Sequence, residues 1–278
     1  MELSAAAVER VAATALAEAV GDGDVTTLAL VGEDVRCTAQ LFLEEPGVVC
    51  GVPVVAAVFA ALDPSVQVTP TLDEGAAVTR LPAVVAELEG PARALLTGER
   101  SALNLFGRLC GIASLTRRYA DLVEGTNATI LDTRKTTAGL RALEKYAVRC
   151  GGGSNHRAGL YDAVLVKENH LRLAGGIGPA VAALRAQRGP LPVEVEAETL
   201  AQVGEALEAG VERILLDNMT PAQVAEAVRL VAGRAELEAS GGISLATVRA
   251  FAETGVDFIS VGALTHGARS LHVSLEVL

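Results

Sequence analysis

Residues 129–170 read TILDTRKTTAGLRALEKYAVRCGGGSNHRAGLYDAVLVKENH, and this segment concentrates the positive charge of the chain. All three lysines of the protein, Lys135, Lys145 and Lys167, lie within it. Residues 132–172 carry eight basic and four acidic side chains, whereas the whole chain has a formal net charge of −11. Cations gathered in one segment of an acidic protein indicate a local site for an anion.

A solvated basic helix face accounts for only some of these cations. Three of them recur every four residues, the spacing of one helix face: Arg141, Lys145 and Arg149. The cations at positions 134, 135 and 167 instead follow short apolar runs that are typical of strands. We therefore expect a basic helix face in the middle of the segment and ligand-binding side chains at its strand ends.

From residue 129 onward, short apolar strands alternate with helical segments. The pattern predicts strands at residues 129–131, 163–166, 193–195, 214–216, 237–239 and 258–261, and helices at 138–149, 179–187, 200–209, 221–231 and 245–254. Six strand–helix steps with short links are typical of a parallel sheet, and their regular spacing favours a barrel. A complete barrel of this kind has eight units. We therefore predict an open or incomplete TIM-like α/β barrel over residues 109–267.

The amino-terminal hundred residues follow a different pattern. It predicts strands at residues 36–51 (a hairpin around a turn at 45–47), 66–70, 76–81 and 84–89, and helices at 5–20, 53–62 and 99–123. This is an antiparallel sheet with helices, an α+β layer that we assign to residues 1–108, and the fold class of the whole chain is therefore α/β. Alternating apolar residues predict a last strand, and residues 268–278 are expected to return to this domain. Gly107 and Gly111, one helical turn apart, indicate close approach of a second helix.

Composition excludes several classes of partner and location. The acidic balance argues against nucleic acid or an anionic membrane surface as the main partner. The polar start MELSAAAVER argues against a signal peptide, and no apolar run reaches the about 18 residues of a membrane span. We therefore expect a cytoplasmic protein. The cysteines lack metal-ligand spacing and are expected to be small buried residues: Cys37, Cys50, Cys110 and Cys150.

The predicted strand ends carry a set of chemically useful residues. In chain order they are Arg134 with Lys135, Lys167, Glu196, Asp217, Ser240-Gly241-Gly242 and Ser260-Val261-Gly262, while His156 and Arg157 follow a Gly-Gly-Gly run. The loops after the strands of a parallel barrel meet at one rim, so we expect these side chains to converge. Arginine binds carboxylates through two hydrogen bonds, and lysine and glycine-rich turns suit phosphate. The two carboxylates suit ribose hydroxyls, Mg²⁺ held through water, or developing positive charge.

At these positions the sequence resembles the quinolinate phosphoribosyltransferases, over essentially its whole length. The resemblance rests on LDTRKT at residues 131–136, GGGSNHR at 151–157, KENH at 167–170, and the Glu-Val-Glu, Leu-Asp-Asn and Ser-Gly-Gly strand ends; GDVTT at 23–27 and ERSALN at 99–104 also match. The resemblance implies a sandwich domain and an open barrel, in a homodimer whose barrel mouths are closed by the partner's sandwich domain. It also implies transfer from 5-phosphoribosyl-1-pyrophosphate to quinolinate with Mg²⁺, giving nicotinate mononucleotide, pyrophosphate and CO₂, a step of NAD biosynthesis.

The same resemblance implies roles for individual residues. Quinolinate would be bound by Thr133, Arg134, Lys135, His156, Arg157 and Lys167, with Arg100 supplied across the dimer interface. Phosphoribosyl pyrophosphate would be bound by Lys135, Lys167, Glu196, Asp217, Ser240, Gly241, Gly242, Ser260, Val261 and Gly262. Lys135, Glu196 and Asp217 would be catalytic, and Glu196 and Asp217 would hold the metal through water.

Three alternatives stay open. The first is a phosphoribosyltransferase of the same fold that uses nicotinate or another pyridine or purine-like base, or else a molybdenum-associated paralogue. Its pocket would need fewer cations, and four cations favour a dicarboxylate instead: Arg100, Arg134, Arg157 and Lys167. A Schiff-base barrel aldolase would use Lys135 or Lys167 as its nucleophile. A non-catalytic protein would bind quinolinate without turnover.

Overall fold

The structure, a computed structural model, describes residues 3–187 and 191–278. Its backbone divides into two units. The first contains the residues up to Arg117, Thr136–Gly152 and Leu264–Leu278, and the second contains Arg118–Lys135 and Gly153–Ala263. The domain limits proposed from the sequence, 1–108 with 268–278 and 109–267, stay a prediction beside this division. Residues 1 and 2, on which the first predicted domain begins, lie outside the described ranges.

The predicted alternation of strands and helices is present along the chain. The strands are β1 Arg36–Leu43, β2 Gly47–Val48, β3 Gln67–Pro70, β4 Ala77–Val78, β5 Ala83–Pro91, β6 Thr129–Leu131, β7 Val164–Val166, β8 Val193–Ala197, β9 Arg213–Asp217, β10 Glu236–Ser240, β11 Phe258–Ser260 and β12 Val273–Val277. The helices are α1 Ala5–Val20, α2 Val25–Leu30, α3 Val52–Leu62, α4 Ala92–Val123, α5 Arg141–Cys150, α6 Glu168–Ala174, α7 Ile177–Gln187, α8 Leu200–Glu208, α9 Pro221–Val231, α10 Val248–Ala252 and α11 Ala263–His266. Among the described residues, we find no helix with the length and apolarity required to cross a membrane.

The first unit is built on an antiparallel sheet with the strand order β12-β1-β5-β3. The inner strand β1 pairs Leu41 with Leu275 of β12 and with Ala86 of β5. Its alternate residues Ala39, Leu41 and Leu43 are buried, the period of two expected when one face of a sheet is covered. This confirms both the antiparallel amino-terminal layer and the return of the last strand to it.

The predicted hairpin at residues 36–51 is wrong. Strands β1 and β2 both form, but β2 pairs with β4 in a separate two-stranded sheet, with Gly47 opposite Val78. An alternating pattern specifies which face of a strand is buried, and it does not specify which strand lies beside it. Of the four cysteines, only Cys50 and Cys110 are buried, whereas Cys37 and Cys150 are partly exposed.

Helix α5 does not present the predicted solvated basic face, and that prediction is wrong. Lys145 is only 5% exposed, and Arg141 and Arg149 are half-buried. The spacing of four places these side chains on one face, but it does not say whether that face meets solvent. Here it is covered, and Glu144 on the same helix is fully buried.

Gly107 and Gly111 allow close approach to α4, as predicted, but by a non-helical segment rather than by a helix. A Cβ on Gly111 would lie 1.9 Å from the carbonyl oxygen of Arg269, and one on Gly107 would lie 2.8 Å from that of Leu271. The Leu271 amide donates a hydrogen bond to the Gly107 carbonyl oxygen at 2.9 Å. The missing side chains therefore make room for the chain that leads into β12.

We expect Gly111→Ala to destabilise the protein although alanine is the better helix former. Its Cβ meets a backbone oxygen that cannot rotate away, so the free energy of unfolding should fall by about 1–3 kcal/mol. Gly204→Ala in α8 is the matched control because nothing lies within 4 Å of its Cβ, and it should raise stability by roughly 0.5–1 kcal/mol. Urea unfolding measures both changes. Two changes of the same sign would contradict the close approach.

The second unit contains a parallel sheet with the strand order β6-β11-β10-β9-β8-β7. Its neighbouring strands are parallel, with Leu131 beside Ser260 at one edge and Val166 beside Val195 at the other. Strands β6 and β7 are the edges, so within the described ranges the sheet stays open. This confirms the open, TIM-like barrel expected from the sequence.

Short capped loops connect these strands to the helices that follow them. Thr199 accepts a hydrogen bond from the Gln202 amide at the start of α8, and Thr220 does the same for Gln223 at α9. Both are capping boxes, which fix the first turn of a helix from local sequence. The strand ends near Glu196 and Asp217 are therefore followed by loops of only a few residues.

Candidate active site

A cavity of about 500 Å³ lies at the carboxyl ends of the parallel strands, within the second unit. Most of the predicted site residues line it: Thr133, Arg134, Lys135, His156, Arg157, Lys167, Glu196, Asp217, Ser240, Gly241, Gly242 and Ser260. Four further residues line the cavity: Leu165, Leu215, Asn218 and Glu238. Asn218 belongs to the matching Leu-Asp-Asn strand end, but none of the four was assigned a role in the site from the sequence. The structure therefore brings together side chains from six strand ends, as the barrel prediction required.

Three predicted site residues are not among the lining residues. Arg100 is exposed on α4 in the first unit. Val261 and Gly262 follow the end of β11, and the Val261 amide donates to the Leu131 carbonyl oxygen at 2.9 Å. That amide continues the sheet, so it is already used by the protein. Ser260 is the residue of the second turn that lines the cavity, and the phosphate role of residues 240–242 and 260–262 stays a prediction.

Asp132 joins the LDTRKT and GGGSNHR segments. Its buried carboxylate accepts hydrogen bonds from the Asn155 side chain at 2.6 Å and from the His156 amide at 2.9 Å. The Ser154 amide adds a bond to the Ile130 carbonyl oxygen at 2.8 Å. From the sequence, Asp132 was counted only as one negative charge, and its structural role was not predicted. Its position directly after a buried strand was the signal for this structural role.

Two arginines, Arg134 and Arg157 (the arginine pair), give one part of the cavity its positive charge. Burial, and then the charge of Arg134, lower the pKa of Arg157. The Nε of Arg157 is buried without a hydrogen-bond partner in the described residues, while its Nη1 donates weakly to the Ala163 carbonyl oxygen at 3.4 Å. Neighbouring guanidiniums with an unused buried donor suit an anion that carries more than one negative charge.

Glu196 and Asp217 (the carboxylate pair) give another part of the cavity a mixed charge. The Nζ of Lys167 lies 2.7 Å from a Glu196 oxygen, and the Glu168 amide donates to the other oxygen at 3.3 Å. Burial, and then the negative charge of Glu196, raise the pKa of Asp217, while the charges of Lys167 and Lys135 oppose this shift. Carboxylates held close beside lysines can stabilise a developing positive charge and bind phosphate groups in the same place.

The Ser240-Gly241-Gly242 turn needs both of its glycines. Gly241 and Gly242 have φ values of 95° and 62°, a region that residues with side chains rarely adopt. A Cβ on Gly241 would lie 2.2 Å from the Asn218 side-chain oxygen, and the Asn218 amide group donates to Asp217 at 2.6 Å. Asn218 therefore packs the turn against the carboxylate pair.

His156, Glu194 and Glu238 form a buried ionisable cluster beside the arginine pair. The Nε2 of His156 lies 3.1 Å from a Glu194 oxygen and 3.4 Å from a Glu238 oxygen, and Nδ1 accepts the Arg157 amide at 2.7 Å. Burial would lower the pKa of His156, but the hydrogen bond to Glu194 and the charge of Glu238 raise it overall. Both ring nitrogens thus contact protein groups. The predicted direct contact of His156 with substrate stays a prediction.

Sequence reasoning missed the two carboxylates of this cluster. Glu194 and Glu196 are both buried on β8, and only Glu198 of the alternating Glu-Val-Glu-Ala-Glu run is exposed. A parallel strand is covered on both faces, so alternation does not separate buried from exposed residues there. Glu238 is wholly buried on β10, where burial and the charge of Glu194 raise its pKa to about 7.

Glu238 should make the stability of the protein depend on pH. Its pKa is higher in the native state than the ordinary 4.5, so its stabilising effect is complete below pH 4.5 and is lost as pH rises through 7. The free energy of unfolding of the wild type minus that of Glu238→Gln should fall by roughly 2–3 kcal/mol from pH 5 to pH 8. Urea unfolding at both pH values measures it. A difference that stays constant from pH 5 to pH 8 would contradict the raised pKa of Glu238.

Comparison with known proteins places these features in one family. The C-terminal domain model of quinolinate phosphoribosyl transferase matches residues 112–276, and the N-terminal domain model matches residues 24–110. A probable nicotinate-nucleotide pyrophosphorylase (carboxylating) of Bacillus subtilis is 43% identical, over 94% of this chain and 90% of that protein. A protein of the same description from Synechocystis is 46% identical, over 95% of this chain and 90% of its own length.

Solved structures agree with this assignment. The nicotinate-nucleotide pyrophosphorylase of Francisella tularensis superposes with a TM-score of 0.93 at 37% identity, covering 100% of this chain and 98% of that one. The corresponding protein of Ehrlichia chaffeensis gives a TM-score of 0.94 at 36% identity and covers 100% of both chains. With both domain models matched and relatives aligned over nearly the whole length, the chain belongs to the quinolinate phosphoribosyltransferase family.

Proposed function

We propose that this protein transfers the phosphoribosyl group of 5-phosphoribosyl-1-pyrophosphate to quinolinate and releases CO₂, forming nicotinate mononucleotide and pyrophosphate. The names of its relatives, which include a quinolinate phosphoribosyltransferase (decarboxylating) of Nicotiana tabacum, support this activity. The observation that carries it is the arginine pair, in which the unused buried Nε of Arg157 lies near a second guanidinium. Such a site favours a dicarboxylate over a monocarboxylate.

The two charged parts of the cavity suit the two substrates. The carboxylates of quinolinate would bind to the arginine pair and Lys167, with Thr133 and Lys135 on the same loop. The pyrophosphate would bind near Lys135 and Lys167, and the 5-phosphate at the Ser240-Gly241-Gly242 turn, whose residues line the cavity. This arrangement would bring the pyridine nitrogen and the ribose C1 together in one cavity.

The reaction needs no protein nucleophile. The pyridine nitrogen forms a bond to ribose C1 as the bond from C1 to the pyrophosphate oxygen breaks. Positive charge develops on the ribose, and Glu196 and Asp217 would stabilise it. When the C2 carboxylate then departs as CO₂, the electron pair of the broken bond stays on C2, where the positive charge of the neighbouring pyridinium nitrogen stabilises it. A proton from solvent binds to C2 and completes nicotinate mononucleotide.

Mg²⁺ is part of the proposal because the donors present suit it. Glu196 and Asp217 are hard oxygen donors. Burial, and then the negative charge of Glu196, raise the pKa of Asp217, and a cation near the two carboxylates would offset both effects. These two carboxylates would hold the ion through water. When bound with the pyrophosphate substrate, Mg²⁺ supplies neutralisation of the leaving group's charge.

The Schiff-base alternative has less support. A lysine nucleophile must have its amine free to attack a carbonyl carbon, whereas the Nζ of Lys167 lies 2.7 Å from a carboxylate oxygen of Glu196. Borohydride reduction in the presence of a carbonyl substrate tests it directly. A trapped adduct on Lys135 or Lys167 would replace our proposal.

The activity is tested by mixing the protein with 5-phosphoribosyl-1-pyrophosphate, Mg²⁺ and either quinolinate or nicotinate, with products followed by mass spectrometry. We expect nicotinate mononucleotide and CO₂ from quinolinate alone. Product from nicotinate alone would keep the phosphoribosyl site and remove the dicarboxylate role of the arginine pair. Binding of quinolinate without product from either base would support the non-catalytic alternative.

We further propose a homodimer in the cytoplasm, in which Arg100 reaches the partner's cavity. Arg100 is exposed in the first unit, and its position in the ERSALN motif supports this role. The free state of all four cysteines is compatible with a reducing compartment.

Subunit mixing tests the shared site. Arg100→Ala should lower kcat/KM for quinolinate about tenfold, because one charged hydrogen-bonding partner of a carboxylate is lost. Lys167→Ala should be nearly inactive. Refolding the two variants together should restore roughly a quarter of wild-type activity, since half of the dimers carry one intact site in two. Activity equal to the average of the separate variants would show that Arg100 does not act across an interface.

A further inference from the structure

Outside the cavity, in the first unit, three segments bring two cysteines together. Cys50 follows β2, Cys150 ends α5, and Glu74 lies between β3 and β4. The two sulfur atoms and one carboxylate oxygen of Glu74 all lie within 4.8 Å of one another. We propose that Cys150 and Cys50 are a modification site for peroxide, at which they react to form an intramolecular disulfide.

The two thiols differ in the way that a reactive and a resolving cysteine differ. Cys150 is partly exposed, and a hydrogen bond from Cys50 lowers its pKa against the opposing effects of burial and of the Glu74 charge. Cys50 is fully buried, and burial raises its pKa. Oxidant-sensitive cysteines are accessible, have stabilised thiolates and lie beside a second thiol. Cys150 is therefore the residue that meets the oxidant, and Cys50 is its resolving partner.

Glu74 holds this geometry by capping a helix. One carboxylate oxygen accepts the Val52 amide at 2.9 Å, and the other accepts the Gly51 amide at 2.8 Å and the Tyr146 hydroxyl at 2.9 Å. The carboxylate thus fixes the start of α3 beside the end of α5. Both oxygens of Glu74 therefore accept hydrogen bonds from the protein, so the presence of this carboxylate is explained by helix capping without a metal ion. Helix capping does not explain why two thiols lie beside it.

Cys110 is close but is not part of the reactive pair. Its sulfur accepts the Cys50 amide at 3.3 Å and donates to the Cys50 carbonyl oxygen at 3.4 Å. It is wholly buried, and burial raises its pKa. Its contacts hold the backbone of Cys50, so it acts as a structural neighbour.

The proposed chemistry balances with peroxide as the only oxidant. The Cys150 thiolate sulfur attacks one oxygen of hydrogen peroxide, the O–O bond breaks, and the departing hydroxide takes up a proton to give water. Cys150 is then a sulfenic acid. The Cys50 sulfur attacks the Cys150 sulfur, the S–O bond breaks, and a second water leaves. Two thiols lose two electrons to one peroxide, and a disulfide forms between residues 50 and 150.

The test uses the full-length protein, reduced, freed of reductant and treated with one equivalent of hydrogen peroxide. Free thiols are then blocked with N-ethylmaleimide, and intact and peptide masses are measured. We expect two of the four thiols to be lost, a mass about 2 Da lower before blocking, and one cross-linked peptide pair containing Cys50 and Cys150. This measurement needs no variant, so it stands even if a substitution disturbs folding.

Variants assign the order of events. Cys50→Ser should leave Cys150 as a sulfenic acid that dimedone captures, Cys150→Ser should abolish the disulfide, and Cys37→Ser on β1 should change nothing. Disulfides between chains, a pair involving Cys110, or equal dimedone capture at Cys150 in wild type and Cys50→Ser would overturn the proposal. So would one equivalent of bound zinc that protects both thiols, since it would make the cluster a metal site.

Discussion

Glu196→Gln is expected to lower kcat by about 10²-fold, the usual cost of losing one group that stabilises charge in a transition state. The KM for quinolinate should stay within about threefold, because binding of the ground state depends on the arginine pair instead. Glutamine keeps the size of the side chain and an oxygen for the Glu168 amide, which donates to Glu196 at 3.3 Å. Only the negative charge near the proposed site of oxocarbenium formation is removed.

The ion pair with Lys167 requires a careful control for this variant. The Nζ of Lys167 lies 2.7 Å from Glu196, so removal of the Glu196 charge also removes the ion-pair partner of Lys167. A loss of transition-state stabilisation must therefore be separated from a change in how Lys167 binds the substrates. Glu198→Gln changes an exposed carboxylate two residues along the chain and should leave kcat unchanged. Steady-state kinetics with both substrates varied gives the comparison. A Glu196→Gln enzyme with wild-type kcat would remove Glu196 from the mechanism.

Most residues that line the cavity could be predicted from the rule that the carboxyl ends of parallel strands lie at one edge of the sheet. Lys167, Glu196 and Asp217 each stand at or beside the end of a short apolar run, and parallel strands place such ends together. The glycine turn at residues 240–242 follows the same rule. These predictions needed only the strand positions and the direction of the chain, which the sequence pattern contains.

Features that depend on side-chain partners distant in the chain were not predictable. The cluster of His156, Glu194 and Glu238 joins a loop to two strands, and no local pattern indicates that a buried glutamate will meet a histidine forty or eighty residues away. Lys145 was expected to face solvent, but it is buried. Helical spacing identifies a face, and only the tertiary structure decides what covers it.

Glu144 offers the largest expected effect on stability. Its carboxylate, fully buried on α5, lies 2.9 Å from Nη2 of Arg108, whose side chain is 20% exposed. It also accepts the Thr137 hydroxyl at 2.8 Å and the Thr137 amide at 3.1 Å. Arg108 in turn donates to the carbonyl oxygens of Ala268, at 2.6 Å, and Thr265. One ion pair thus connects helix α4, the start of α5 and the segment that precedes β12.

Glu144→Ala should lower the free energy of unfolding by about 3–5 kcal/mol, because it leaves a largely buried guanidinium without its counter-charge. Glu144→Gln keeps the acceptor oxygen but not the charge and should cost less. Glu253→Ala is the matched control: it breaks a 2.7 Å pair with Arg249 in which both side chains are about half exposed, so the loss should be below about 1 kcal/mol. Urea unfolding at neutral pH measures all three. If Glu144→Ala costs no more than Glu253→Ala, the Arg108 pair is not what holds these three segments together.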